Sequence, residues 1–303
     1  MPGTFFGPYN EQFSDYAEPA GGNAGRFPLG HYLILPDQRR YRFTLNDGTT
    51  EVAGRMYQSS APIGTHTDRN SDVARAVGAV AVSATLGSTS AAQDIYSEGM
   101  VHVNDADGVG YAWRIARAVV NGQAHNAVAG SGVLTVTLAA GEQVQVAISA
   151  TTSQLTFTRN RFHQVIIAPT DLTASLAGVS PGVSTTGRYY WSQVFGEAAV
   201  LQDLDLYEGQ MVQSSNNTAG AIESSKFKVR TGTSVPGDSK TCGANALDSS
   251  GSENVITLIG TASNTTYDIS GPSSVRGALV GVCRVANITT EAALIDLQFL
   301  DNY

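Results

Sequence analysis

Charge is scarce in this chain. Charged residues make up 15% of its 303 residues, against roughly 25% in ordinary soluble domains, so much of its polar surface must be neutral Ser, Thr, Asn and Gly. Cations are the scarcer sign: 18 Lys and Arg stand against 26 Asp and Glu, a formal net charge of -8. That balance argues against a general grip on nucleic acid, which needs clustered cations facing phosphate. Cysteine is nearly absent. Cys242 and Cys283 could pair, but two sulfurs define neither a disulfide framework nor a four-ligand metal site, and partly buried free thiols are the expectation. Long apolar runs are missing too: no stretch approaches the roughly 20 residues that span a bilayer. The opening MPGTFFGPYNEQ lacks the basic n-region and apolar run of a secretory signal, so a soluble, uncleaved chain without membrane contact is expected. Without an export signal, the Asn-X-Thr tripeptides at Asn216, Asn264 and Asn287 carry no weight.

What the chain does have is alternation. Tyr41, Phe43 and Leu45 alternate with Arg42 and Thr44, and Leu134, Val136 and Leu138 with Thr135 and Thr137, the period of half-buried strands. Val144, Val146 and Ile148, then Leu155 and Phe157, repeat the pattern after short turns at Gly141-Glu142 and Ala150-Thr151. These three segments predict an antiparallel meander. Leu204 with Leu206, and Ile295, Leu297 and Phe299, continue the signal. Helical candidates are confined to Ser71–Val77, with an N-cap-like Ser71, and Thr89–Tyr96. The fold class expected is all-β, mainly antiparallel sandwich or barrel units, with an extended N-terminal arm and few short helices. The expected division is an arm over 1–35, a β domain over 36–170, and a second β unit over 171–303. A Ser/Thr/Gly-rich insertion at about 214–274 belongs to the second unit. In the arm, Pro and Gly alternate with Phe5, Phe6, Tyr9, Phe13 and Tyr16. Pro and Gly prevent a helix and aromatics are unusual in disordered tails, which suits an extended segment laid over a neighbour.

Several apparent sites fail on their chemistry. Gly178-Val179-Ser180-Pro181-Gly182 matches the G-x-S-x-G pattern of serine hydrolases, but the residue after the nucleophile must offer an N–H to the oxyanion, and Pro181 has none. No His follows Ser180 in the chain. Asn104-Asp105-Ala106-Asp107-Gly108 resembles a calcium loop, yet its register would put Val103 at the first ligand position and supplies no Glu at the twelfth. It reads as a hairpin loop whose Asp and Gly accept positive φ. His31, His66, His102, His125 and His163 show no zinc spacing, and Gly108-Val109-Gly110 lacks the third Gly of a dinucleotide fingerprint. Asp203, Asp205 and Glu208 read as a solvated strand face. No enzyme activity, cofactor or metal is expected. Tyr189-Tyr190-Trp191 is different: three consecutive aromatics on a strand cannot all point one way, so at least one is expected to face outward. There it would serve as an interface anchor or a sugar-stacking platform.

At YSEGMVHVNDADGVGYAWRI (Tyr96 to Ile115), RNRFHQVIIAPT (Arg159 to Thr170), GVSPGVSTTGRYYWSQVFGEAAVL (Gly178 to Leu201) and the closing EAALIDLQFLDNY, the chain resembles structural proteins encoded beside major capsid genes in tailed bacteriophages. The resemblance is to environmental and cyanobacterial phages in particular. It covers roughly residues 40 to 215 plus the final strand. It implies a β-rich virion protein of the capsid cement or decoration type, assembled in the host cytoplasm. Such a protein would trimerise, sit on the capsid surface and bind between major capsid protein subunits, without direct contact to nucleic acid. A tail-fibre or receptor- or carbohydrate-binding virion protein is the alternative, and its natural platform would be the Tyr189–Trp191 run.

Overall fold

The computed structural model describes residues 4–6, 27–47, 49–118, 124–203, 206, 208–209, 211–224, 279–285 and 292–298. The strands in chain order are β1 (Thr4–Phe6), β2 (Tyr32–Ile34), β3 (Arg40–Leu45), β4 (Met56–Gln58), β5 (Arg69–Asn70), β6 (Ala81–Thr85), β7 (Met100–Asp105), β8 (Ala112–Arg114) and β9 (Val133–Thr137). There follow β10 (Gln154–Thr158), β11 (Ile166–Ile167), β12 (Leu176–Val179), β13 (Tyr189–Leu201), β14 (Met211–Ser214), β15 (Ile222–Ser224), β16 (Leu279–Val285) and β17 (Ala292–Leu297). The protein is all-β, as the alternation predicts. Pairing is antiparallel throughout these strands except between β1 and β2, which run parallel.

The large sheet runs β1-β2-β3-β13-β17-β16-β14-β15, with β12, β4 and β11 branching from β13. Its spine is β13, whose first half pairs with β3 and whose second half pairs with β17. The register shifts between Gln193 and Phe195, and Gly196 follows at φ 82. A side chain there would be strained in the left-handed region, and its Cβ would lie 3.2 Å from the Arg39 Cα. This bend lets one strand serve two partners.

A lobe, residues 59–165, is inserted into this sheet. It leaves from β4 and returns at β11, and those two strands pair with each other, Gln58 opposite Ile166. Strands from both sides of residue 170 therefore share the large sheet. The lobe holds a four-stranded sheet, β5-β10-β7-β8, and a two-stranded one, β6-β9, around its own core, which includes Val82, Val101, Trp113, Leu134, Val136 and Phe157. Backbone bonds fasten it to the large sheet: Leu45 N donates to the Phe162 carbonyl at 2.9 Å, and Val165 N to the Leu45 carbonyl at 3.0 Å. Side chains add to this. Glu98, ion-paired with Arg117 at 2.7 Å, accepts the Leu29 N–H at 2.5 Å, and within the lobe Asn160 Nδ2 donates to the Glu98 carbonyl.

Three local expectations are corrected. Ser71–Val77 is not helical: the Ser71 hydroxyl donates to the carbonyls of Val73 and Ser83 instead of capping N–H groups, and bridges to Ala84 and Ile148 occupy its backbone. Thr89–Tyr96 is a chain of turns; Ala91 bridges to Val128, and Asp94 takes a φ of 57. The only helical turn among the described residues is the 3-10 turn Gly64–His66. The meander is absent: β9 pairs with β6, β10 pairs with β7 and β5, and 144–148, which bends at 145–146, is bonded to 75–79. Residues 100–114 do form the expected hairpin, although Ala106 takes a positive φ beside Gly108 and Gly110.

Candidate functional site

The Tyr189-Tyr190-Trp191 run lies in β13 where that strand is covered on both faces, and all three rings are buried, at 1%, 0% and 0% exposure. No ring points outward, which overturns the expectation of an exposed platform. Tyr189 and Trp191 share one face. Phe43 stacks on Tyr189 at 5.1 Å and meets Trp191 edge-on at 5.1 Å, and Phe27 closes over Trp191 at 5.3 Å. Tyr190 points the other way, into Tyr57, Phe162, Val165 and Ala177. Of the arm residues, Phe5 and Phe6 lie in β1; Tyr9, Phe13 and Tyr16 lie outside the described residues, as do Cys242, Asp205 and residues 225–278.

Ser180 is fully buried just after β12. Its hydroxyl donates to the Gly182 carbonyl at 2.6 Å and lies 3.5 Å from Glu51 Oε2. Gly178, the first Gly of the motif, has φ 137, and a Cβ there would sit 2.3 Å from Ser192 Oγ, so it serves close strand packing. Glu51 is 1% exposed, and Oε1 has no hydrogen-bond partner. Burial pushes its carboxyl up to about 9, which leaves it neutral at pH 7.

The other titratable groups are held in local networks. Asp203 accepts from Ser215 Oγ at 2.5 Å and Thr218 Oγ1 at 2.6 Å, and so orders a turn instead of lying on a solvated strand face. In the hairpin loop, Asp105 accepts the Ala106 N–H and Asp107 accepts from Ser149. His125 Nε2 accepts the Tyr96 N–H at 3.1 Å, so its proton sits on Nδ1, facing the Asn126 carbonyl at 2.8 Å; burial lowers its pKa. Among the described residues, no group of three or more His, Cys, Asp or Glu could hold a metal ion. Cys283 is a buried free thiol, raised in pKa by burial.

A concave feature lies at the junction of lobe and large sheet. It is an open cleft of about 290 Å³ whose walls come from residues 59–63, 157–161 and 173–175 together with Tyr96. Arg159 and Arg161 both line it. Arg161 donates to the Leu176 carbonyl through Nε at 2.8 Å. The residue reading passed over this site, although two arginines two residues apart in so charge-poor a chain are a signal. No protein-family model, no curated protein and no solved structure matches the chain.

Proposed function

We propose that the protein is a structural component of a phage particle. In this reading it is a cement or decoration protein that binds between major capsid protein subunits on the shell, without catalytic work of its own. The observation that carries the reading is β1. A three-residue strand adds in parallel to the outer edge of β2, Thr4 opposite Tyr32 and Phe6 opposite Ile34. Parallel addition needs no hairpin and places no limit on which copy supplies the strand; edge addition is a recurring way for an extended segment to grip a folded domain. Residues 7–31 separate the two strands, and at about 3.3 Å per extended residue such a connection can span to a neighbouring subunit. The net charge of -8 suits a solvent-facing layer, and the resemblance to capsid decoration proteins implies a homotrimer. The glycan-binding alternative is the weaker reading, because its platform is buried.

The test is co-sedimentation with decoration-stripped phage shells. The full chain is expected to bind saturably, at a fixed ratio to the major capsid protein. A chain lacking residues 1–26, which keeps Phe27 on Trp191, is expected to fold and to lose that binding. Equal binding by the truncated chain would overturn the arm's role, and no binding by either would overturn the cement reading.

A further inference from the structure

The junction cleft carries charge of one sign only. Arg159 and Arg161 line it, and none of its lining residues is acidic, on a chain whose acids outnumber its cations. Arg159 is the more telling of the two. Its Nε is buried without a hydrogen-bond partner, and its hydrogen bond through Nη1 goes to a neutral amide, Gln164 Oε1, at 3.4 Å. Burial lowers its pKa, and among the described residues no carboxylate offsets that. Its titratable neighbours are the Tyr96 phenol, raised by burial to about 12, and His163, lowered to about 4 by burial and then by Arg159 itself. Both are neutral at pH 7. A guanidinium withdrawn from water in this way is destabilising unless an anion meets it.

We propose that the cleft binds a small organic carboxylate, with Arg159 as the group that receives the carboxyl. The fork of a guanidinium matches two carboxylate oxygens. A carboxylate fits better than a phosphate, because Arg161, though still charged, has donors on the Leu176 carbonyl, which leaves the planar fork of Arg159 to pair with two oxygens in one plane. Around that point the walls divide. Pro62, Ile63 and Phe157 are apolar, and Ser59, Ser60 and Ser175 carry hydroxyls, the mixed lining that suits a hydroxylated acid. A volume of about 290 Å³ lies at the small end of ligand pockets, enough for one sugar-sized acid. The inference does not rest on shell binding.

The test uses the full chain with glucuronate, acetate, glucose and inorganic phosphate at constant ionic strength, followed by calorimetric titration and thermal melting. Glucuronate is expected to bind saturably and to raise the melting temperature, with acetate weaker and glucose inert. Arg159→Gln is expected to weaken glucuronate at least tenfold while melting no lower than the wild type without ligand, since the substitution removes a partly buried cation whose hydrogen-bond partner is a neutral amide. Ala174→Trp, which narrows the cleft from its 173–175 wall and leaves Arg159 unsubstituted, is expected to block binding as well. Absence of saturable binding to the wild type, phosphate bound more tightly than the acids, or affinity unchanged in either variant would overturn the proposal. So would a large loss of ligand-free stability in Arg159→Gln, which would make the arginine structural.

Discussion

At the scale of single residues, the β13 aromatics and Glu51 are the most informative. Trp191 is wholly buried among Phe27, Phe43 and Tyr189, so Trp191→Ala should cost about 3–5 kcal/mol of unfolding free energy, read by denaturant titration. A loss below 1 kcal/mol would contradict the packing. Period-2 reading placed Tyr190 on the face opposite Tyr189 and Trp191, which holds. It could not tell that the second face is also covered, because the cover comes from Tyr57 and Phe162, far away in sequence. Glu51 was invisible for a similar reason: nothing adjacent to it announces that 180–190 will bury it. Its carboxyl, raised by burial to about 9, is neutral in the folded state at pH 7 and ionised in the unfolded one. Its contribution to stability is therefore complete below the ordinary carboxyl value and lost as pH rises towards about 9. Glu51→Gln, which stays neutral, should be more stable than the wild type at pH 8 by about 3–5 kcal/mol, the gap closing near pH 4. Destabilisation at pH 8 would contradict the assignment.

At the scale of elements, strands with clean alternation were legible, and their partners were not. Tyr41, Phe43 and Leu45 define β3, and Leu134 and Val136 define β9, as read. Yet β9 pairs with β6, a strand whose sequence AVSAT carries too little contrast to be noticed. The two helix candidates failed because short polar-apolar segments satisfy either period, and bridges from Ala84, Val128 and Ile148 decided the outcome. β1 is an element of a different kind, a three-residue strand on a sheet edge. Its removal with residues 1–26 should lower the unfolding free energy by no more than about 1–3 kcal/mol, the worth of a few backbone hydrogen bonds, and leave a single cooperative transition. Collapse of that transition would mean that the arm holds the fold together and is no separable grip.

At the scale of the whole molecule, the organisation is nested: one long sheet opens between β4 and β11 to admit a lobe with its own core. The boundary expected at 170 falls close to the return at β11, but nothing marks the exit after β4, so the nesting was not legible, whereas the all-β class and, among the described residues, the lack of an organising helix were. The cleft lies at this junction, built from segments separated by more than a hundred residues, which is why only its RNRF strip could have hinted at it. What unites the arm, the charge-poor composition and the sheet edge is the reading of a protein that works by binding a shell. The most direct measurement is the temperature at which stripped shells release their DNA, recorded as the protein is titrated onto them. The account predicts a release temperature that climbs and then levels off at a fixed ratio of protein to capsid subunit, since a ligand of the intact shell stabilises it by linkage. A release temperature unchanged at every ratio would contradict it.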